Sequence, residues 1–370
     1  MNADIASHQR IARLTPLADV LASIAGIEPV APRAMAVAEA QGCVLAADLI
    51  AEDALPPRPL AARDGLAVSS DATRDAGPYA PLTLQPPPER VDAFAVLPVD
   101  TDAVAPLDAV TVIGGLMQIM APVAPGESVL PAAGDVEANA LFCAAGSRLR
   151  ASDIAVLSAA HVSEIRVRQP RLRIVNTRPD DAILGAAADF VARVAASAGA
   201  TIDVSSDIEE ALRAGESDAI IAIGGTGAGR DDRSVIALSR AGVVTCHGIG
   251  LAPGETSAFG MANSRPVLLM PGRLDAVLAC WLTIGRPLVD RLTAATSRDI
   301  PVKAVLTRKV TSTIGLAEVV PLRSGGDGVE PLATGYLSLQ SVARADGWML
   351  VPAESEGYPA GTAIDMRPLP

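Results

Sequence analysis

Aromatic residues are scarce in this chain of 370 residues, where Phe, Trp and Tyr together make up 2% of the sequence. Half of the residues are nevertheless hydrophobic, so a sizeable core can form, and Ala, Val, Leu and Ile must build it. The length exceeds what a single hydrophobic core usually serves, which predicts two to four domains.

Cysteine and histidine are also few. The four cysteines lie far apart without paired spacing, which predicts reduced thiols rather than a disulfide framework: Cys43, Cys143, Cys246 and Cys280. Only three histidines occur, and they are too scattered for a histidine-based zinc cluster: His8, His161 and His247.

Positive charge is in deficit, with 30 Lys and Arg against 42 Asp and Glu, giving a formal net charge of −12. This balance argues against nucleic acid as a partner, because a phosphate backbone requires a basic surface. No apolar run reaches membrane-spanning length and no apolar leader precedes the first helix. We therefore expect a cytoplasmic protein without a membrane partner, which binds small anions through local donors or a divalent cation.

Four textures follow one another along the chain. Helical patterns occupy 1–51 and return at 141–168, on either side of short Val, Leu and Ile runs broken by Pro and Gly at 52–140. Strands alternate with helices at 169–296, and 297–370 has the pattern of a small β-barrel. These ranges are the predicted domains.

Two helix starts can be predicted from their capping residues. In "LTPLADVLASIAGIEP", Thr15 is the expected cap, Pro16 suits the first helical position, and Gly26 ends the helix. In "SRLRASDIAVLSAA", Ser152 is the expected cap.

Three continuously apolar runs, "RLRIVNT", "DAIIAIGG" and "PVLLMPG", alternate with helical patterns in the third range. Such runs indicate parallel strands that are covered on both faces. Ligands of open α/β sheets bind beyond the carboxyl ends of the strands. The segments that follow these strands are therefore the expected binding loops.

The loop "GGTGAGRDD" follows the second of these strands and precedes the helical pattern "DDRSVIALSRAG". Its glycines allow close backbone approach, and free amides beside a helix N-terminus predict an anion site. The dinucleotide fingerprint would need glycine where Arg230 lies, and the Walker pattern would need a Gly-Lys pair. The alternative is a tight turn in which Asp231 and Asp232 only cap the helix.

Three further stretches resemble one family, in family order and over nearly the whole chain. "LPPRPLAARDGLAVSSDAT" (55–73), "APGESVLPAAGDVEANALFCAAGSRLRASDIAVLS" and "RPVLLMPGRLDAVLACW" are similar to segments of the molybdopterin molybdotransferases, the MoeA and gephyrin E-domain family. The resemblance implies a multidomain α/β protein: an elongated helical dimerisation region, a β-rich module, a MogA-like α/β/α domain with a mostly parallel sheet that binds molybdopterin, and a C-terminal β-barrel.

The resemblance also implies an activity and its partners. Molybdenum from molybdate would be placed on adenylylated molybdopterin, and AMP would be released with a divalent cation such as Mg²⁺. The protein would be a homodimer, supplied by a molybdopterin adenylyltransferase and serving recipient molybdoenzymes.

Asp64 and Asp135 match acidic site residues of the family, and the resemblance has them face the glycine loop across the dimer interface. With Asp232 they are the expected catalytic carboxylates, and with Asp231 the expected metal ligands. The alternative is that Asp64 and Asp135 are turn residues. The expected cofactor-binding residues come from the three loops: Thr177, Arg178, Asp180, Gly224, Gly225, Thr226, Gly227, Gly229, Arg230, Pro271, Gly272 and Arg273.

The sequence departs from the family pattern at these loops. Arg178 and Arg273 replace neutral family residues, Arg230 adds a third cation, and Asp180 stands where the family has glutamate. The loop "GGTGAGRDD" is closer to that of the related adenylyltransferases, the MogA and gephyrin G-domain family, with Asp232 in place of their aspartate. Arginine suits phosphate, although these three could be solvated loop tips. Three functions follow: molybdotransferase, a non-catalytic paralogue that binds or delivers the cofactor, and molybdopterin adenylyltransferase.

Overall fold

The computed structural model describes residues 9–296 and 300–370. His8 and the starts of the first and last predicted domains, at residues 1 and 297, lie outside the described residues. The chain forms two compact units. One comprises the described residues up to Ala47 together with those from Ala145 to Pro370, and the other is Asp48–Ala144. The domain boundaries expected from the sequence stay a prediction.

From residue 9 onward, the N-terminal segment of the first unit contributes one α-helix, one 3-10 turn at Val37–Glu39 and three short strands. The α-helix and the strands are β1 (Thr15–Pro16), α1 (Leu17–Ala25), β2 (Arg33–Ala36) and β3 (Val44–Leu45). The prediction of Thr15 as the cap of α1 is wrong, because Pro16 occupies the cap position and Thr15 pairs with Ile249 in a parallel bridge. Gly26 ends the helix, as predicted.

The second unit, Asp48–Ala144, is built of short strands around small apolar cores. Its elements are β4 (Leu49–Ile50), β5 (Leu60–Ala61), β6 (Gly65–Val68), α2 (Ser70–Thr73), β7 (Leu82–Thr83), β8 (Arg90–Val91), β9 (Ala103–Ala105), β10 (Val110–Ile113), β11 (Leu116–Ile119), β12 (Val129–Leu130) and β13 (Leu141–Cys143). The sheet β8-β6-β9 packs with the sheet β10-β11-β7, burying Leu66, Val68 and Ile119 between them.

The chain re-enters the first unit through α3 (Ala151–Ala159) and β14 (Glu164–Arg168). β14 pairs antiparallel with both β2 and β3, which ties the two segments of this unit together. The prediction of Ser152 as the cap of α3 is wrong. Arg150 is the cap residue, and the Asp153 carboxylate accepts hydrogen bonds from its backbone and side chain.

The α/β part of the first unit follows. Its elements are β15 (Arg171–Asn176), α4 (Ala182–Ser197), β16 (Thr201–Ser205), α5 (Ile208–Arg213), β17 (Ala219–Ile223), α6 (Ser234–Ala241), β18 (Gly242–His247), β19 (Ile249–Ala252), β20 (Ala258–Ala262), β21 (Arg265–Met270), α7 (Leu274–Cys280) and α8 (Arg286–Thr293). The sheet order is β16-β15-β17-β21-β20-β18. The first four strands are parallel, and the last two join antiparallel. Three of the parallel strands, β15, β17 and β21, are the predicted ones, whereas β16 was not predicted.

The C-terminal strands are β22 (Val302–Val305), β23 (Val310–Thr311), β24 (Ala317–Gly325), β25 (Gly328–Pro331), β26 (Gly347–Val351), β27 (Gly357–Tyr358) and β28 (Ala363–Pro368), with α9 (Leu339–Arg344) between them. Most of these strands join β1 and β19 in a second sheet, while β23 and β27 pair with each other in a separate two-stranded sheet. β19 runs parallel to β24, and the order is β1-β19-β24-β26-β28-β22. A bridge between Leu306 and Val329 returns the end of β22 to β25.

One continuous core serves both parts of the first unit. It joins residues of the α/β sheet, such as Ile174 and Leu268, to Val319 and Trp348 of the C-terminal sheet. The fold is thus a mixed α/β multidomain architecture with a parallel-rich sheet and β-rich modules. Within the described ranges, no helix has the length and apolar character that crossing a bilayer requires.

Candidate functional site: the glycine loop and its neighbours

Three adjacent parallel strands deliver three loops to one edge of the sheet. β15 ends before Thr177, β17 before Gly224 and β21 before Pro271. The Gly224 amide donates to the Met270 carbonyl at 2.9 Å, and the Thr177 hydroxyl donates to the Ile223 carbonyl at 2.9 Å. The three loops that carry the predicted binding residues are therefore hydrogen-bonded to neighbouring strand ends where the loops begin.

Two glycines are required by the conformation of the loop at residues 224–233, called the glycine loop below. Gly224 and Gly225 have φ values of +93° and +72°, in the left-handed region that side chains rarely adopt. A Cβ on Gly224 would lie 2.5 Å from the Thr177 hydroxyl oxygen, and one on Gly225 would lie 2.4 Å from Ser234 Oγ. The backbone here can therefore pack closely only because both residues lack a side chain.

The carbonyl groups of residues 224–227 are all held by side chains. The four bonds, each 2.8 or 2.9 Å long, are Ser234 Oγ to Gly224 O, Gln9 Nε2 to Gly225 O, His247 Nε2 to Thr226 O and Gln9 Nε2 to Gly227 O. Because a carbonyl can only accept, His247 must carry a proton on Nε2. The carbonyl groups of this stretch are thereby turned toward the protein.

The amides of the same stretch are differently placed. Within residues 9–296 and 300–370, no group accepts a hydrogen bond from the backbone N–H of residues 225–228. Successive amides with inward-facing carbonyls form a concave donor surface that suits an anion. The glycine loop therefore has four consecutive main-chain donors without an acceptor among the described residues, of which the first two belong to the buried residues Gly225 and Thr226.

The N-terminus of α6 does not contribute to this surface, so that prediction is wrong. The Val235 and Ile236 amides donate to Gln9 Oε1 at 2.8 and 3.1 Å, and the Ser234 amide donates to the Gly225 carbonyl at 3.0 Å. Gln9 is 7% exposed and thus fills the position where an anion was expected.

The alternative prediction, that Asp231 and Asp232 cap α6, is also wrong. The cap residue is Arg233, with no capping side-chain bond. Asp232 instead folds back over the loop, where Oδ1 accepts from Arg178 Nη2 and Oδ2 from the Gly229 amide, both at 3.0 Å. Its side chain is 14% exposed, against 47% for Arg178. The structure therefore brings two predicted site residues together as an ion pair.

The third loop places Arg273 at the start of α7, against the C-terminal module, which comprises residues 300–370. The carboxylate of Asp275, itself 4% exposed, accepts from Arg273 Nε at 3.1 Å and from Nη2 at 2.5 Å. The Arg273 guanidinium carbon lies 5.2 Å from the centre of the Tyr336 ring. The hydrogen bonds and charge of Asp275 raise the pKa of Arg273, and Glu255 and Tyr336 act in the same direction. Arg273 is therefore a fixed cation.

The other predicted residues of the first unit take no such part in the loop contacts. Asp180, Arg230 and Asp231 are exposed, and Pro271 is buried. The residue after Asp180 has a clear structural role, since Asp181 accepts hydrogen bonds from two amides in the first turn of α4.

Asp64 and Asp135 belong to the unit Asp48–Ala144, and both are exposed. The Asp64 carboxylate accepts from the Ala93 amide at 2.8 Å, and the Asp135 amide donates to the Leu55 carbonyl at 2.9 Å. Their approach to the glycine loop stays a prediction. In the part of the chain that the structure describes, no three His, Cys, Asp or Glu side chains are grouped as a metal site.

Sequence reasoning missed Gln9, His247, Asp275 and Tyr336. Asp275 could have been noticed, because an acidic residue in the first turn of a helix is favoured by the helix dipole. The other three belong to no motif and lie far from the loops in sequence.

Comparison with known proteins supports the same assignment over most of the chain. Three family models match in succession: "MoeA N-terminal region (domain I and II)" at residues 8–160, "Probable molybdopterin binding domain" at 183–291 and "MoeA C-terminal region (domain IV)" at 303–369. The glycine loop lies within the second match.

Similar proteins come from archaea. The curated "Putative molybdopterin biosynthesis protein MJ0666" of Methanocaldococcus jannaschii is 23% identical over 89% of this chain and 90% of its own length. The crystal structure of the molybdopterin biosynthesis moeA protein from Pyrococcus horikoshii OT3 superposes with a TM-score of 0.74 at 21% identity, covering 96% of this chain and 100% of that one. A molybdenum cofactor biosynthesis protein from Pyrococcus furiosus gives a TM-score of 0.63 at 17% identity, with 96% and 100% covered. With three consecutive family regions and a shared fold over nearly its whole length, the chain belongs to the MoeA family of molybdenum cofactor biosynthesis proteins.

Proposed function

We propose that this protein transfers molybdenum from molybdate to adenylylated molybdopterin, with release of AMP. The observation that carries the proposal is the row of backbone N–H groups at residues 225–228. The carbonyls of the same peptide groups, at residues 224–227, are hydrogen-bonded to protein side chains. This row lies in the segment that matches a molybdopterin-binding domain.

In this proposal the glycine loop binds the phosphate groups of the substrate. Backbone amides are suitable donors because they are fixed in direction before the ligand arrives. Arg178 lies at the edge of the glycine loop and adds a positive charge. A bound phosphate group can pair with this arginine alongside Asp232. Arg273 adds a second cation that Asp275 keeps in place. These groups bind and orient the substrate, and no proton transfer is assigned to them.

Mg²⁺ belongs to the proposal as a companion of the substrate. The described residues do not form a metal site by themselves. Mg²⁺ usually keeps several water ligands and is held by one or two carboxylates together with substrate phosphates. The exposed carboxylate of Asp231 is the ligand we propose from the glycine loop, with Asp64 and Asp135 as the proposed carboxylates of the other unit. No step of the reaction is derived through the ion.

A second candidate function is binding or delivery of the finished cofactor without metal insertion. One observation favours it: both carboxylate oxygens of Asp232 are engaged, by Arg178 and by the Gly229 amide. A carboxylate held in this way stabilises the loop and its arginine, which serves anion binding more directly than catalysis.

The experiment that separates these functions measures AMP release from adenylylated molybdopterin, with and without molybdate. The proposed enzyme releases AMP only when molybdate and Mg²⁺ are present. A delivery protein binds the pterin without releasing AMP. Formation of adenylylated pterin from molybdopterin and ATP would instead assign the adenylyltransferase reaction.

Carboxylate variants test the roles of the acidic residues. We expect Asp64→Asn and Asp135→Asn to lower kcat at least tenfold while leaving pterin affinity within about threefold.

Asp232→Asn keeps an acceptor for the Gly229 amide but removes the charge that offsets Arg178. We expect it to tighten pyrophosphate binding about threefold to tenfold. Asp327→Asn, at an exposed turn of the C-terminal module, is the matched control. Tenfold weaker pyrophosphate binding by Asp232→Asn would contradict this use of Arg178.

The proposed assembly is a homodimer that receives its substrate from a molybdopterin adenylyltransferase and passes the product to molybdoenzymes, within the cytoplasm. Sedimentation analysis of the purified chain tests the dimer. A two-enzyme assay, in which the adenylyltransferase supplies the pterin, tests the transfer.

A further inference from the structure

Gln9 uses every hydrogen-bonding position of its side chain at the glycine loop and the first turn of α6. Its amide nitrogen donates to the carbonyls of Gly225 and Gly227, both at 2.9 Å. Its oxygen accepts from the amides of Val235 and Ile236, at 2.8 and 3.1 Å. A primary amide is the only uncharged side-chain group that can offer two donors and two acceptor positions in this way.

The segment that carries Gln9 is held in place along its length. Its end is fixed by the parallel bridge between Thr15 and Ile249, and the Thr15 amide donates to the Gly248 carbonyl at 2.9 Å. Gly248, with φ of +93°, allows Ile11 to approach so closely that a Cβ would lie 2.4 Å from its Cγ2. The position of Gln9 is therefore a consequence of the fold.

The two ends of the Gln9 amide act on different elements. The oxygen satisfies the first amides of α6, which would otherwise attract an anion to the helix N-terminus. The nitrogen holds two loop carbonyls inward, which leaves the amides of residues 225–228 facing away from them. One side chain thus closes one anion site and shapes the other.

We propose that Gln9 is a positioning residue of the glycine loop, which directs the anionic group of the ligand to the loop amides and away from the N-terminus of α6. The identity of that ligand rests on the proposed function, whereas the positioning itself does not. The segment before α1 is accordingly part of the binding site, although none of its side chains needs to touch the ligand.

The test compares three variants of the full chain: Gln9→Met, Gln9→Glu and, as the matched control, Gln41→Met at an exposed side chain of the same unit. Hydrogen exchange reports on the Val235 and Ile236 amides, and calorimetry with inorganic pyrophosphate reports on the loop. Gln9→Met removes both halves of the contact. We expect exchange at these two amides to become at least tenfold faster and pyrophosphate affinity to fall about tenfold.

Gln9→Glu separates the two halves. Its carboxylate still accepts from the α6 amides, so their exchange stays slow, but it sets an oxygen against the two loop carbonyls, so pyrophosphate affinity falls. A side chain that merely stabilised the fold would change both readouts together with the melting temperature. Neither Gln9→Met nor Gln9→Glu is expected to bind pyrophosphate as tightly as the unaltered protein.

Unchanged exchange at Val235 and Ile236 in Gln9→Met would overturn the inference, whatever the ligand. Unchanged pyrophosphate affinity in both Gln9 variants would overturn it as well. If the unaltered protein binds neither pyrophosphate nor molybdopterin, the proposed function fails, while the exchange measurement still decides whether Gln9 holds the loop and the helix.

Discussion

Replacing Gly225 by alanine probes the conformation on which the binding surface depends. Gly225 has φ of +72°, and an added Cβ would lie 2.4 Å from the buried Ser234 Oγ. Ser234 Oγ cannot retreat without breaking its 2.8 Å bond to the Gly224 carbonyl. The substitution therefore combines backbone strain with the loss of a buried hydrogen bond.

The two effects can be given magnitudes. A non-glycine residue in the left-handed region costs roughly 1–2 kcal/mol. Leaving a buried carbonyl without its donor costs about 1–3 kcal/mol. We expect the native conformation of the loop to lose about 2–5 kcal/mol, which corresponds to exchange of the Ser234 amide about 30-fold to 5000-fold faster. The affinity of the glycine loop for its ligand should fall by a comparable factor.

Native-state hydrogen exchange is the suitable assay, because a protein of two units need not unfold in a single step. Gly215→Ala is the matched control, since a Cβ at Gly215 meets no atom within 4 Å. Combining Gly225→Ala with Ser234→Ala removes the clash, so the double variant should be less destabilised than the sum of the single ones. If Gly225→Ala behaves like Gly215→Ala, or if the two effects simply add, the reasoning about this contact is refuted.

Two further predictions concern the cysteines and an acidic contact. Burial raises the pKa of Cys280 to about 12. We therefore expect iodoacetamide at pH 8 to modify the half-buried Cys143 first and Cys280 only after unfolding. Labelling of Cys280 in the folded protein would contradict this prediction. In the unit Asp48–Ala144, hydrogen bonds from the side chain and backbone of Ser70 lower the pKa of Asp102. The contribution of Asp102 to folding stability is therefore present above its unfolded pKa near 4 and is lost as the pH falls through the lower pKa of the folded state. We expect Asp102→Asn to cost about 1 kcal/mol in urea unfolding at pH 7 and less at pH 3, and a penalty that is independent of pH would refute the assignment.

The fold could be predicted from the sequence wherever burial imposes a pattern on neighbouring residues. Every residue of β17 is buried, so the run "AIIAI" had to be apolar throughout, and this indicated a strand covered on both faces. The glycines of the loop were visible for a related reason, since Gly224 and Gly225 adopt conformations that exclude side chains. In both cases the cause lies within the segment itself.

Helix starts were less predictable, because a cap depends on the direction from which the chain enters. Ser152 is a good capping residue by type, yet α3 begins at Ala151 and its cap is Arg150, two residues before Ser152, with Arg150 and Asp153 hydrogen-bonded to each other. Thr15 is equally suitable, but its backbone is taken up by pairing with β19. Local preference of about 1 kcal/mol is easily outweighed by such pairing.

The exclusion of the α6 N-terminus from the proposed anion site could not be predicted, because a contact between distant segments decides it. By local rules a glycine loop before a helix favours anion binding at the helix N-terminus, and nothing within 20 residues of Gly225 argues otherwise. The deciding contact comes from Gln9, 226 positions before Val235, and it depends on a parallel bridge of only two residue pairs between β1 and β19. Such a short pairing leaves no periodic pattern in the sequence. In the proposed function it nevertheless leaves the loop amides, rather than the first turn of α6, to bind the anion, and it makes the segment before α1 a determinant of binding.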